Sequence, residues 1–455
     1  MTLSAPWRNC RRENITHAPD IVLPKESKLQ MSVVSQLRNS SLVSGAGTYM
    51  LANMINAAIP FILLPVLTRY LAPSEYGEVA VFQVWVALIG ALCGLSVHGA
   101  ATRKYYDYDD PDQMIGEFIF ACVVLLVLSS VVLFILLLPF SGWISDTIGL
   151  SKNWLLTGVL FALCNFLVQL RLGQWQVRKR PKKFGAFQVS MSLLNMLLSL
   201  LLVVFFSLGV SGRLAGNTTS VVLFGIAALL LLRRDGLLKL TWRPDLMKEA
   251  LIFGVPLIPH ILGAFLLLTI DRAVISAQLG LDAAGYYMVA AQMAMAMGLV
   301  LDSVNKAYVP WLYEKLKQND LSDKKLIVKL TYGYGAFLLI VALFGFLAGG
   351  PILVFIAGEK YEPAASVIGW LILAKSFHGM YYMVSSYIFY AKRTIVIAKI
   401  TIAAGILNVF LLFLMTNRYG LVGAAGAMCI SMFLQWLITW RAASVLVKMP
   451  WVLRG

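Results

Sequence analysis

Apolar stretches of about twenty residues recur along the whole chain, each bounded by charges or turn formers. A stretch of that length crosses a bilayer as one helix. The pattern predicts spans near 43–67, 78–98, 115–138, 154–174, 184–207 and 213–232. After a basic loop it predicts six more, near 250–276, 285–308, 326–349, 364–390, 394–416 and 420–441. The expected fold class is an all-α integral membrane protein of about twelve transmembrane helices. One stretch stands apart, from Phe253 to Gly285. It is almost pure hydrocarbon, yet it holds Pro256, Pro259, His260, Asp271 and Arg272. An ionisable group at mid-bilayer costs roughly 2.5–3.5 kcal/mol, so these residues are functional candidates by default.

Composition excludes a single soluble core: 59% of the residues are hydrophobic and 13% charged, against about 25% charged in soluble domains. A net charge of +16 suggests nucleic acid in a soluble protein, but here its location assigns it to topology. Lys and Arg crowd into residues 1–40, alternate loops and the tail after 445. The intervening loops and helix ends hold only Arg69, Lys152, Arg213, Lys360 and Arg418. That alternation places both termini in the cytoplasm and supports an even number of spans, with no nucleic-acid partner. The five cysteines are scattered without CxxC spacing and read as small apolar residues, neither a disulfide frame nor a metal site. Residues 1–40 lack the apolar run of a signal peptide, and Met31 reads as a natural start. No nucleotide-binding signature occurs, and no extracytoplasmic loop exceeds about fifteen residues. No cofactor or metal is expected, and energy would come from an ion gradient or from substrate flux.

The two halves resemble each other at a nearly constant offset. Leu71–Gly77 (LAPSEYG) matches Leu279–Gly285 (LGLDAAG) at 208, and Lys179-Arg180 with Asn195 matches Lys392-Arg393 with Asn408 at 213. Gly209 and Gly212 match Gly420 and Gly423 at 211. A duplicated six-helix unit follows: a basic N-tail 1–40, lobes 41–235 and 236–445, and a cytoplasmic C-tail 446–455. Six is even, so both copies insert the same way round, and the substrate path is expected between them.

The pattern TRYLAPSEYGEVAVFQ resembles the polysaccharide transporters of the multidrug/oligosaccharidyl-lipid/polysaccharide (MOP) flippase superfamily. FGVPLIPH with DRAVISAQLGLDAAGYYMVAAQ, the basic turn RKRPKKF and the GLVGAAGA run fit the same group, and the likeness spans about residues 40–445. It looks most like the flippases of O-antigen or capsule units. The resemblance implies two six-helix lobes related by a pseudo-two-fold axis and a V-shaped, MATE-like cavity opening alternately to each side of the bacterial inner membrane. It also implies an undecaprenyl-diphosphate-linked oligosaccharide as cargo, no enzymatic activity, coupling to H+ or Na+, and association with polysaccharide polymerase machinery.

Such a cargo asks for cations in a hydrated cavity, polar and aromatic groups for sugar, and an apolar opening for lipid. Lys375 lies about eleven residues into its span, roughly 16 Å deep at 1.5 Å per residue, with His378 and Tyr382 on the same face. It reads as a substrate cation or as a structural partner of Asp271. Asp271 and Arg272 are adjacent, point about 100° apart on a helix and cannot pair with each other. Asp271, on the face of His260, is a candidate for ion coupling or gating, and Arg272 for substrate; an interfacial anchor is the competing reading for both. Lys399, five residues into its span, contacts substrate or snorkels to headgroups. In the first span Tyr49, Asn53, Asn56 and Pro60 form one polar stripe, read either as cleft lining or as interhelical hydrogen bonding. Arg69, Asp302 and Arg171 read as interfacial anchors or gates. Two other functions stay open: a cation-coupled multidrug exporter of the same superfamily, which would want carboxylates in place of these cations, and a polymerase- or ligase-type membrane enzyme, which would want a large outer loop.

Overall fold

The computed structural model describes residues 41–107 and 111–451, with side chains omitted for residues 41–47, 111–113 and His260. The basic N-tail and Met31 lie outside the described residues. Backbone groups have no water partner in hydrocarbon, so an apolar chain must satisfy them internally, and every regular element described is helical. In order these are α1 (Ser41–Tyr70), α2 (Pro73–Leu92), α3 (Val97–Lys104), α4 (Pro111–Ile148), α5 (Lys152–Val177), α6 (Pro181–Leu200) and α7 (Gly209–Arg234). Then follow α8 (Pro244–Gly254), α9 (Ile258–Leu268), α10 (Asp271–Leu279), α11 (Leu281–Gln318), α12 (Leu321–Ala357), α13 (Ala365–Tyr390) and α14 (Thr394–Leu446). Proline opens α2, α4, α6 and α8, where a missing N–H costs nothing. Asp320 caps α12 by accepting from the Asp323 N–H at 3.3 Å, and its bond from Ser322 helps hold the carboxyl below the usual range.

Ten segments among the described residues are long and apolar enough to cross a membrane. The last of them, α14, turns at Gly420 (φ 58°, ψ −140°), so it holds two spans. The 26-residue α13, diluted by Lys375 and His378, is the remaining one. Twelve spans result, folded within the unit Thr48–Gly455.

Duplication is written into the turns. Left-handed residues recur at Gly149 and Gly358, at Lys179 and Lys392, and at Gly209 and Gly420. The motif pair found at offset 208 meets itself in space. A Cβ on Gly77 would lie 1.9 Å from the Leu281 carbonyl oxygen, and one on Gly285 would lie 1.9 Å from that of Pro73. The same contact made in both directions marks a two-fold relation. Around this crossing one apolar cluster joins the halves through Leu63, Leu67, Leu71 and Tyr76 on one side and Ala284, Tyr287 and Met288 on the other. The buried Tyr361 donates to the Leu71 carbonyl at 3.2 Å and packs edge-on against Tyr76 and Tyr286. This end of the bundle is closed.

Three local features depart from the sequence pattern. The predicted span 250–276 tightens once and breaks once. A single 3-10 turn at Val255–Leu257 joins α8, which shares a core with Ile115 and Phe118, to α9, which packs on α14 through Gly263 and Gly405. The break at Thr269–Ile270 makes Asp271 the first residue of α10. His260 and Asp271 therefore do not share one helix face; the side chain of His260 lies outside the described residues. The predicted span 78–98 breaks at Gly94–Ser96, three consecutive left-handed residues that fit because Phe166 lies against Gly94 and Ser129 Oγ accepts its N–H at 2.9 Å. Arg171 is no interfacial anchor: it is 1% exposed, ion-paired to Asp235 and stacked 4.2 Å from the Trp175 ring centroid.

Candidate functional site

A cavity of about 400 Å³ is walled almost entirely by helices of the second half. Helix α13 contributes Lys375, His378 and Tyr382, whose spacing of three and seven puts them on one face. The broken span contributes Thr269, Asp271 and Arg272, and α11 adds Met288, Met295 and Gly298. From the first half Gln83 reaches in. The site thus gathers five of the sequence candidates from two elements about a hundred residues apart.

Its charged groups are one carboxylate and two cations. Asp271 is buried and its carboxylate accepts the Arg272 N–H at 2.9 Å, a contact a helix start favours. Among the described residues neither Lys375 nor Arg272 forms an ion pair, so Lys375 is not held as a structural partner of Asp271. Arg272 Nε is buried without a hydrogen-bond partner, as is His378 Nδ1. His378 packs edge-on to Tyr382 at 4.6 Å and stacks with Tyr381 at 5.6 Å, which fixes an aromatic wall beside Lys375. Two cations and one carboxylate leave a net positive charge in a low-dielectric wall, where each charge acts more strongly than in water.

A second chamber of about 270 Å³ adjoins the first, and Gln83, Met288, Met295 and Leu299 line both. It holds Asn56, Pro60, Tyr76, Arg213 and Gln292. Tyr76 donates to Gln292 Oε1 at 2.9 Å, and the Gln292 amide reaches the Pro60 carbonyl, which ties α1, α2 and α11 together. Asn56 lines this chamber and also accepts from Ser192 of α6, so lining and interhelical bonding coexist there. Asn53 and Lys399 are exposed and line neither chamber. Tyr49 belongs to helix packing, edge-on to Phe184 at 5.0 Å.

Sequence reasoning missed Arg213, Gln83 and Gln292. Arg213 counts as a loop-end charge in the topology pattern, yet it lines a chamber. Gln83 and Gln292 carried a usable signal: each follows its repeat glycine, Gly77 or Gly285, by six or seven residues, a duplicated polar side chain inside an apolar span.

Twelve spans in two related halves, with a charged cavity walled by the second half and reached by Gln83 of the first, fit the architecture of a secondary transporter. Residues 42–315 match the model of the polysaccharide biosynthesis protein family, and the chain belongs to that family. It is a multi-pass membrane protein of that family. It is 24% identical over 419 residues to the "Putative O-antigen transporter" of Shigella flexneri, covering 86% of this chain and 97% of that protein. Its fold is similar to the lipid II flippase MurJ in an inward closed conformation, with a TM-score of 0.70 and 15% identity over 87% of each chain. It is also similar to an inward-facing MATE family multidrug resistance transporter, with a TM-score of 0.66 and 13% identity over 87% of this chain and 97% of the other.

Proposed function

We propose that this protein flips undecaprenyl-diphosphate-linked oligosaccharide units from the cytoplasmic to the periplasmic leaflet of the bacterial inner membrane. The observation that carries the reading is the pair Arg272 and Lys375, two cations in one cavity between membrane spans that form no ion pair among the described residues. A diphosphate offers the complementary anion, and the wall of His378 and Tyr382 suits a sugar face. Lobes 41–235 and 236–445 rock about the cavity, both termini are cytoplasmic, and the end closed by Gly77 and Gly285 is periplasmic. Asp271 couples the cycle to H+ or Na+, and release feeds the polysaccharide polymerase machinery. The Shigella flexneri relative, named for O-antigen transport, supports the same cargo class. A multidrug exporter for organic cations is disfavoured, because its cavity would repel such cargo.

The test uses the full chain in proteoliposomes with a fluorescent polyprenyl-diphosphate disaccharide, reading leaflet exchange by quenching of the outer leaflet. Protein-dependent exchange is expected. Lys375→Ala should slow it at least about tenfold, as loss of a charge-assisted contact worth about 1.5–3 kcal/mol requires, and Lys375→Arg should keep part of it. Wild-type exchange in the alanine variant removes Lys375 from the site. No exchange of this lipid alongside uptake of an organic cation would sink the flippase reading.

A further inference from the structure

The second chamber holds a cation that the diphosphate site does not use. Arg213 spends one nitrogen, Nη1, on Asn195 Oδ1 at 2.9 Å and on Ser199 Oγ of the neighbouring helix, which fixes its guanidinium. No described residue accepts from its Nε or Nη2, and neither is among the enclosed polar atoms, so both face open space. No carboxylate lines the chamber. Glu75, next to Tyr76 in sequence, is committed elsewhere: it accepts the N–H groups of Ala72 at 2.8 Å and Val210 at 3.1 Å. Gln83, which lines both chambers, has no hydrogen-bond partner among the described residues. The remaining wall is apolar and amide-like, with Pro60, Phe61 and Asn56.

A fixed guanidinium with a free fork recognises a planar anion in bidentate fashion, and one positive charge balances a monoanion. Two cations already serve the first chamber. We infer that the second chamber is a glycan subsite for a carboxylate-bearing sugar, so the cargo carries a uronic-type residue close to its diphosphate end. This rests on the flippase reading above and narrows its substrate class. Arg213 supplies the carboxylate contact, and Gln83 bridges hydroxyls at the boundary of the two chambers.

The test titrates the purified full chain with two probes, farnesyl-diphosphate-linked disaccharides that carry either glucuronate or glucose. Wild type should bind the glucuronate probe about tenfold more tightly, equivalent to about 1.4 kcal/mol. Arg213→Gln should remove that preference while holding the glucose probe within about twofold, well under the tenfold that 1.4 kcal/mol represents. Arg213→Lys, which keeps the charge without the fork, should retain part of the preference. Equal wild-type affinity for both probes overturns the inference and leaves the flippase reading standing, as does a preference that survives in Arg213→Gln. Failure of both probes to bind overturns the flippase reading and this inference together. The wild-type comparison decides the question even where Arg213→Gln does not fold.

Discussion

Arg171 and Lys375 are both long cations inside apolar helices, and their partners separate their roles. Arg171 has Asp235 and the Trp175 ring, and it sits in the core of the first half. Lys375 has neither an ion-pair partner nor an enclosing core, and it faces a cavity. Removing one member of a buried pair strands the other charge, which is costly, although Asp235 keeps some solvent access. Asp235→Asn is therefore expected to lower stability by about 1–3 kcal/mol, seen as a lower melting temperature in detergent with leaflet exchange per folded molecule unchanged. An unchanged melting temperature would show that the pair is not structural. At this scale sequence showed which residues were expensive and not which were paired, because pairing joins residues such as Arg171 and Asp235 across elements.

Among the elements, the seventh span departs furthest from its pattern. Hydropathy stays high through 250–276 apart from His260, Asp271 and Arg272, and neither Thr269 nor Ile270 is a helix breaker. The break at that point belongs to packing: α9 and α10 both lie on α14, with Asn408 donating to the Leu266 carbonyl at 3.1 Å, and α10 alone also packs closely on α11. It turns Asp271 into the first residue of a helix and sets Arg272 toward Lys375's cavity. Asp271→Asn keeps an acceptor for the Arg272 N–H and removes only the charge. The variant should fold normally and still exchange lipid, but without acceleration by an imposed proton or sodium gradient. Gradient-driven acceleration equal to wild type would take Asp271 out of the coupling step.

At the scale of the whole molecule, scaffold and chemistry follow opposite rules. The scaffold is duplicated: the turn residues recur, Gly212 and Gly423 each press on the preceding helix, and Gly77 crosses Gly285. The cavity charges are not duplicated. Arg213 corresponds to Ala424, and Arg272 falls opposite Leu64 or Pro65. Symmetry builds two halves on one plan, and the breaking of symmetry gives the cavity one chemical polarity. The crossing should therefore govern the closed end. Gly285→Ala introduces a Cβ where a backbone carbonyl lies, and it should force the helices apart. A cysteine replacing the fully buried Ala80 should then label with a membrane-impermeant maleimide in the Gly285→Ala background and not in wild type. Protection in both backgrounds would show that the crossing is not the gate.

Sequence alone determined the twelve spans, the even topology pattern, the repeat and the family resemblance. Each follows from one-dimensional quantities, namely apolar length, charge alternation and spacing, that set how a segment partitions between water and lipid. Tertiary structure decided which of the buried charges meet. It joined Asp271 and Arg272 to Lys375, His378 and Tyr382, left Asn53 and Lys399 outside, and brought in Arg213, which topology alone had counted as a loop charge. Partitioning cares only that a segment is apolar on average. A cavity is made by which faces of different helices the packing leaves apart.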